Sequence, residues 1–440
     1  MSDRNGASER MVATGSGAGQ RFAELARGWR VLLAAVAGVA LGVNSLPFYT
    51  SGLFINALHE DRGWSLAALS LGPTLLVISM AIAAPWLGNA FDRHGERRFI
   101  FPGLLVQVAA LLLLSRADSL TSYYALLAGM ALLGSGCAAP AYVRIVNRTF
   151  DRSKGTALAI TITGAAALSA LVPPLLQQLI SAHGWRSGYL ALAALVAAGV
   201  PVMFLLLKGT DSPDAAARSD QARSLSCAGS GYAGLLRDRT FLLLAAAIAM
   251  VAIACPGLLI HFLPMLTAAG MDATSAAWMV SLIGGAQIVS RLFTGVLVDR
   301  FFAPKVAACV MVSSAVGFAL LCWGGVSWAF AGALAVGLAY GAEADLIGYL
   351  TGRYYEPARF GRVFGMFYAV FLTGTAVSPS VYGIVVDVYG SYRPALALAT
   401  ALLIAASIVF LRLPSFQIVS ATRFNAAATP AANGVAMLER

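Results

Sequence analysis

Long apolar runs separated by short polar breaks cover most of the chain and fall into two sets of six. The first set lies near 31–57, 66–90, 99–115, 122–147, 155–180 and 187–207, and the second near 240–267, 273–298, 304–323, 327–350, 361–386 and 393–411. Each run has about the ~20 residues that a helix needs to cross a ~30 Å hydrocarbon core. Apolar residues are continuous within the runs, whereas the strands of a membrane β-barrel would alternate. The pattern predicts an all-α polytopic membrane protein with twelve transmembrane helices. It divides the chain into a disordered cytoplasmic tail over 1–29, a six-helix bundle over 30–207, a cytoplasmic linker over 208–239, a second six-helix bundle over 240–412 and a cytoplasmic tail over 413–440.

Composition narrows the class. The 440 residues are 59% hydrophobic and 11% charged, about half the usual charged share, so little length remains for a soluble enzyme domain. The net charge of +10 would suggest nucleic acid in a soluble protein, but here Lys and Arg occupy short loops between apolar runs. With the amino terminus inside, 25 of the 30 basic residues fall on inside segments. Only Arg62, Arg116, Arg186 and Arg393 fall outside, and Arg291 lies within a span. The positive-inside rule then places both termini in the cytoplasm. Lysine is rare beside Arg and Ala, as in chains from GC-rich bacteria, which points to a bacterial inner membrane. Five single cysteines and four dispersed histidines suggest neither a disulfide framework nor a metal site. With no P-loop, H-E-x-x-H or G-x-S-x-G, the sequence implies no cofactor, no ATP-driven pump and no hydrolase.

The two sets of runs repeat each other. Gly88, Asp92 and Arg93 in GNAFDRHGERR match Gly295, Asp299 and Arg300 in GVLVDRFFAPK at an offset of 207, and Gly63 falls on Gly270 at the same offset. NRTFDRSKG (147–155) likewise matches GRYYEPARFG (352–361). Parallel duplication of six-helix halves is a transporter architecture, so the bundles are expected to be pseudo-symmetric.

The segment G-x-x-x-D-R-x-G-x-R-R resembles the signature loop of the major facilitator superfamily, with Gly88, Asp92, Arg93, Gly95, Arg97 and Arg98 in its fixed positions. A narrower resemblance over residues 30–412, to the monocarboxylate and oxalate:formate branch, rests on four features. These are Pro47 with YTSGLF, the segment YVRIVNRTFDRSKGTALAITITG, HGWR at 183–186, and Arg291. The resemblance implies a functional monomer in the lipid bilayer whose halves give alternating access to a small-molecule carboxylate substrate. It also implies that Gly88, Asp92, Arg93, Arg97 and Arg98, with Asp299 and Arg300, gate the path by latching the halves together. Gly88 would permit close helix contact and Asp92 would accept hydrogen bonds from a neighbouring helix terminus, although the arginines alone could simply fix topology.

Arg291 is the strongest candidate for substrate binding. It precedes Asp299 by eight residues, ~12 Å along a helix, and an unpaired Arg at such depth costs at least ~2.5 kcal/mol. Its planar, permanently charged fork matches a carboxylate. The resemblance implies that it holds the substrate carboxylate; a permanent salt bridge within the second half is the alternative. The chain departs from the resembled pattern at Gln287, where that pattern has Asp, and at Phe48 and Phe371, where it has lysines. One fixed cation would then remain in the cavity, which suits a monoanion, and the phenylalanines make room for an apolar or aromatic body. Asn44, Tyr49 and Tyr368 complete the expected binding set.

Glu343, Asp345 and His261 are the candidates for proton coupling. Glu343 is ten residues from Arg353, at a depth similar to Arg291, and is the acid expected to pair with it or to carry a proton. Asp345, two residues on, points to the other side of the helix. The leading function is a secondary transporter of a small organic monocarboxylate, with protons as the coupling partner. Alternatives are an exporter of lipophilic drug-like compounds, an anion exchanger without proton coupling, and a non-transporting sensor.

Overall fold

Backbone polar groups find no water in hydrocarbon, so a chain that crosses it closes its hydrogen bonds within helices. The computed structural model describes residues 23–150, 153–208, 235, 237–355 and 357–416, and every regular element among them is helical. The first bundle contains α1 (Trp29–Leu41), α2 (Leu46–Arg62), α3 (Leu66–His94), α4 (Arg97–Leu114), α5 (Leu120–Gly134), α6 (Ala139–Thr149), α7 (Lys154–His183) and α8 (Trp185–Leu207). The second contains α9 (Arg239–Ala268), α10 (Ala273–Arg300), α11 (Ala303–Gly324), α12 (Ala329–Tyr354), α13 (Pro357–Tyr389) and α14 (Arg393–Leu411).

Among the described residues, eleven helical segments are long and apolar enough to cross a membrane. One of them, Ala303–Tyr354, has 52 residues, ~78 Å as a straight helix and too long for one pass. It reverses at Gly325, where φ is 58°, and its two parts, α11 and α12, pack against each other. The described residues therefore make twelve passes.

The duplication is visible in the turns. Gly63 and Gly270 adopt φ of 65° and 92°, a left-handed conformation that L side chains resist. Two residues later each half caps its next helix: Ser65 Oγ accepts from Ala68 N at 3.2 Å, and Asp272 accepts from Thr274 N and Ser275 N at 2.8 and 3.1 Å.

The halves differ in their first and fourth passes. In the first bundle both are broken, between α1 and α2 and between α5 and α6, whereas α9 and α12 run through. The breaks satisfy one another. Asn44 Oδ1 accepts from Ala139 N at 3.0 Å, Gln107 Nε2 donates to the Leu41 carbonyl at 2.9 Å, and Cys137 Sγ donates to Gln107 Oε1 at 3.3 Å. Close packing of the two passes needs glycine: a Cβ on Gly38 would lie 2.1 Å from the Tyr142 ring, and one on Gly42 2.6 Å from the Cys137 carbonyl.

The tail departs from expectation near its end. Residues 23–27 are helical, and Glu24 accepts from Ser153 N and Oγ at 2.8 and 2.7 Å. Most of the expected tails and linker lies outside the described residues.

Candidate functional site: a cavity between the bundles

The bundles meet through α2 on α9, α3 on α13 and α7 on α10. Hydrogen bonds between them run from mid-membrane to the end away from the signature loop. Ala67 N donates to Asp387 at 2.9 Å, Thr74 Oγ1 donates to the Ala376 carbonyl at 2.6 Å and pairs with Ser380 Oγ at 2.8 Å, Thr267 Oγ1 donates to Asn56 Oδ1 at 2.7 Å, and Ser281 Oγ donates to the Ala170 carbonyl. Glycines bring backbones together there: a Cβ on Gly52 would sit 2.2 Å from the Ile260 carbonyl oxygen, and one on Gly284 2.3 Å from Ala170 N.

Toward the signature loop α2, α3, α6, α12 and α13 line a cavity of about 380 Å³. Asn44 and Phe48 line it beside the first-pass break, Ser135 and Pro140 beside the fourth-pass break, Gly88 and Phe91 from α3, Tyr340 from α12, and Tyr368 and Phe371 from α13. The breaks thus have a use, because they turn polar Asn44 and the start of α6 toward the cavity. Of the expected binding set, Asn44, Phe48, Tyr368 and Phe371 line it. Tyr49 and Gln287 lie beside it and tie the bundles together, Tyr49 OH donating to Gln287 Oε1 at 3.1 Å, while the Tyr49 ring meets Tyr340 edge-on at 6.3 Å.

Arg291 sits one helical turn beyond Gln287, with its side chain 13% exposed and its Nε 3.5 Å from Asp345 Oδ2. Nε and Nη1 are buried and make no hydrogen bond. The expected partner, Glu343, is elsewhere. It points into a small apolar void within the second bundle, lined by Leu244, Met311 and Phe367, and neither carboxyl oxygen has a hydrogen-bond partner. The two acids are about 200° apart around the helix, and helix rotation turns Asp345 rather than Glu343 toward α10.

His261 is fully buried in the sealed part of the interface. Its Nε2 is 3.1 Å from the Pro379 carbonyl, which must accept and so places the ring hydrogen there. Ser70 Oγ of the other bundle is 2.8 Å from Nε2, and Tyr392 OH is 3.2 Å from Nδ1.

One cavity residue was not anticipated. Arg144 on α6 counts as a loop cation when the fourth pass is taken as continuous to residue 147, yet it lines the cavity. It donates to the Gly88 carbonyl at 3.4 Å, with its guanidinium 5.8 Å from the Phe91 ring centroid. The expected cavity cation, Arg291, is not among the described residues lining the cavity, and Arg144 is there in its place. Its signal was the Ser-Gly-Cys-Ala-Ala-Pro stretch at 135–140, which breaks the helix and draws the residues after it inward.

A family model described as Major Facilitator Superfamily matches residues 37–272 and 242–438. The chain belongs to the major facilitator superfamily. It is a secondary transporter and not an enzyme. Among curated relatives, monocarboxylate transporter 11 of Mus musculus is 27% identical over 417 residues, covering 88% of each chain. Monocarboxylate transporter 13 of Bos taurus is 27% identical over 413 residues, covering 90% of this chain and 91% of its own. Solved structures that share the fold include a D-xylose-proton symporter (TM-score 0.67, 11% identity, 88% of this chain and 97% of that one). A mutant form of the nucleoside transporter NupG has the same TM-score and identity and covers 88% of this chain and 100% of that one.

The signature loop of this transporter is described in part. Gly88 meets no close neighbour at its Cβ position, and its carbonyl instead receives Arg144. Gly95 ends α3 at φ 76°. Arg93, Arg98 and Arg300 are exposed, Arg97 is engaged, and the side chains of Asp92 and Asp299 lie outside those described. Buried Glu96 of the loop pairs with Arg148 of the same bundle at 3.0 Å.

Proposed function

We propose that this transporter carries a small organic monocarboxylate across the bacterial inner membrane with a proton, as a monomer with both termini cytoplasmic. The observation that carries the reading is the buried Arg291 fork, whose Nε and Nη1 lack hydrogen-bond acceptors where the bundles meet. Buried donors of a guanidinium are costly to leave unmade, and a carboxylate supplies two acceptors in the matching plane. The likeness to monocarboxylate transporters supports the same substrate class.

Coupling follows from the contact with Asp345. A substrate carboxylate arriving at Arg291 displaces Asp345, which takes up a proton and stays neutral in its partly buried position. Reorientation of the halves then carries substrate and proton together, and loss of the proton restores the ion pair and expels the substrate. The basic residues of the segments between spans support a cytoplasmic signature loop. The cavity described above is then the cytoplasm-facing state.

Uptake of labelled lactate, pyruvate, formate, oxalate and a cationic drug into proteoliposomes, with and without an inward proton gradient, tests this. Gradient-driven accumulation of a monocarboxylate is expected, falling at least tenfold in Arg291→Gln. Asp345→Asn is expected to retain exchange and lose accumulation. Drug flux without carboxylate flux would instead support export of lipophilic compounds, and normal uptake by Arg291→Gln would remove its role as anchor.

A further inference from the structure

Three helices of the second bundle end together on the side away from the signature loop: α9 and α11 finish at Ala268 and Gly324, and α14 begins at Arg393. α14 packs against both of the others. Their ends leave a second cavity, of about 260 Å³ and open to the surface. Leu266, Leu321, Val326 and Leu396 give it an apolar floor, Ser391 adds a hydroxyl, and Arg393 is its one charged side chain among the described residues. The Arg393 backbone is fixed: its N donates to Ser391 Oγ at 3.2 Å, and its carbonyl accepts from Cys322 Sγ at 3.5 Å. Its guanidinium makes no hydrogen bond or ion pair among the described residues. Two acids at the same end are engaged elsewhere, Asp272 in capping α10 and Asp387 in accepting from Ala67 N, and neither lines the cavity.

An available cation over an apolar floor fits an amphipathic anion, and its place decides which kind. The ends of membrane spans mark the level of the lipid headgroups. Exposed rings gather at this level, as they do at membrane interfaces: Trp323 in the last turn of α11 is 82% exposed, and Phe330 and Tyr389 are exposed with it. About 260 Å³ is roughly the space of nine waters at ~30 Å³ each, room for a phosphate and the glycerol unit joined to it. A soluble anion would gain nothing from the floor or the rings.

We infer that this cavity binds the headgroup of an anionic phospholipid. The phosphate lies against Arg393, whose planar fork matches two phosphate oxygens, and Ser391 supplies a hydroxyl donor beside it. The glycerol unit rests on Leu321 and Leu396, and the acyl chains leave past Trp323. All of the lining belongs to the second bundle, so the site stays whole as the halves rock. It does not depend on which substrate is carried.

Native mass spectrometry of the purified full chain, titrated with phosphatidylglycerol or phosphatidylcholine, tests the inference. Phosphatidylglycerol is expected to bind about fivefold tighter, the share of one Arg beside an anionic headgroup. Arg393 is exposed, so its replacement leaves the packing of α14 in place. Arg393→Gln should remove the preference, and Arg393→Lys should keep part of it because the charge remains without the fork. Arg116→Gln, which changes an exposed Arg at the same end of the first bundle, should leave the preference intact. An unchanged preference in Arg393→Gln, or an equal loss in Arg116→Gln, overturns the inference. Displacement of phosphatidylglycerol by an equal concentration of inorganic phosphate would make a free anion the occupant and overturns it as well.

Discussion

The two ends of the interface between the bundles are built from different materials. Away from the signature loop, Gly52 and Gly284 bring backbone against backbone, and mostly neutral hydrogen bonds such as Thr74 to Ser380 and Thr267 to Asn56 finish the seal. Toward the loop the helices separate around Arg144, Asn44 and aromatic rings. The difference shows how a seal can be firm and still reversible. Shape complementarity excludes water, while each neutral hydrogen bond adds a net ~0.5–1.5 kcal/mol and leaves no isolated charge when broken. In the proposed cycle, the ion pair with which substrate competes is the 3.5 Å contact of Arg291 with Asp345.

The comparison breaks most severely at Gly284. A β-branched side chain there would collide with α7 backbone, with Ala170 N at 2.3 Å and Ser169 C at 2.6 Å, so Gly284→Val is expected to keep this end from closing. Flux should fall more than tenfold while folded protein is still recovered; transport at parental rate would mean that α7 and α10 need not close together. A smaller effect is expected from Asn56→Ala, which removes the acceptor of Thr267 Oγ1. Losing one cross-bundle hydrogen bond should shift the balance between the two open states by roughly 2- to 12-fold. Labelling of a cysteine placed at Ala84, in the cavity lining, should slow accordingly.

Glu343 sharpens the contrast between charges that face the cavity and those that do not. Because its carboxyl is enclosed in the second bundle, Glu343→Gln should leave the pH profile of uptake unchanged, and a shifted profile would reassign proton coupling to it. The smallest effect belongs to the paired caps. Hydrogen bonds from the Ser275 side chain and from Thr274 N and Ser275 N hold the Asp272 carboxyl below the ordinary aspartate value. Its stabilisation is therefore complete above about pH 3.9 and lost as pH falls through the lowered value. Asp272→Ala should lower the melting temperature at pH 7 but much less in acid, whereas Ser65→Ala, worth about 1 kcal/mol, should show no such pH dependence.

What the chain alone determined is local or periodic. Twelve apolar runs, the offset of 207 between Gly63 and Gly270, and the polar residues that cap α3 and α10 follow from hydrophobicity and backbone preference within a few residues. Tertiary structure decided which chemistry meets. Arg291 pairs with Asp345 and not Glu343 because two residues on one helix face nearly opposite ways, and only packing chooses the rotation. Arg144 reaches the cavity because the fourth pass breaks at 135–138, a break supported by Asn44 and Gln107 from helices far away in sequence. An apolar run records the length of a span, while the direction of a side chain depends on the neighbours that hold the helix in place.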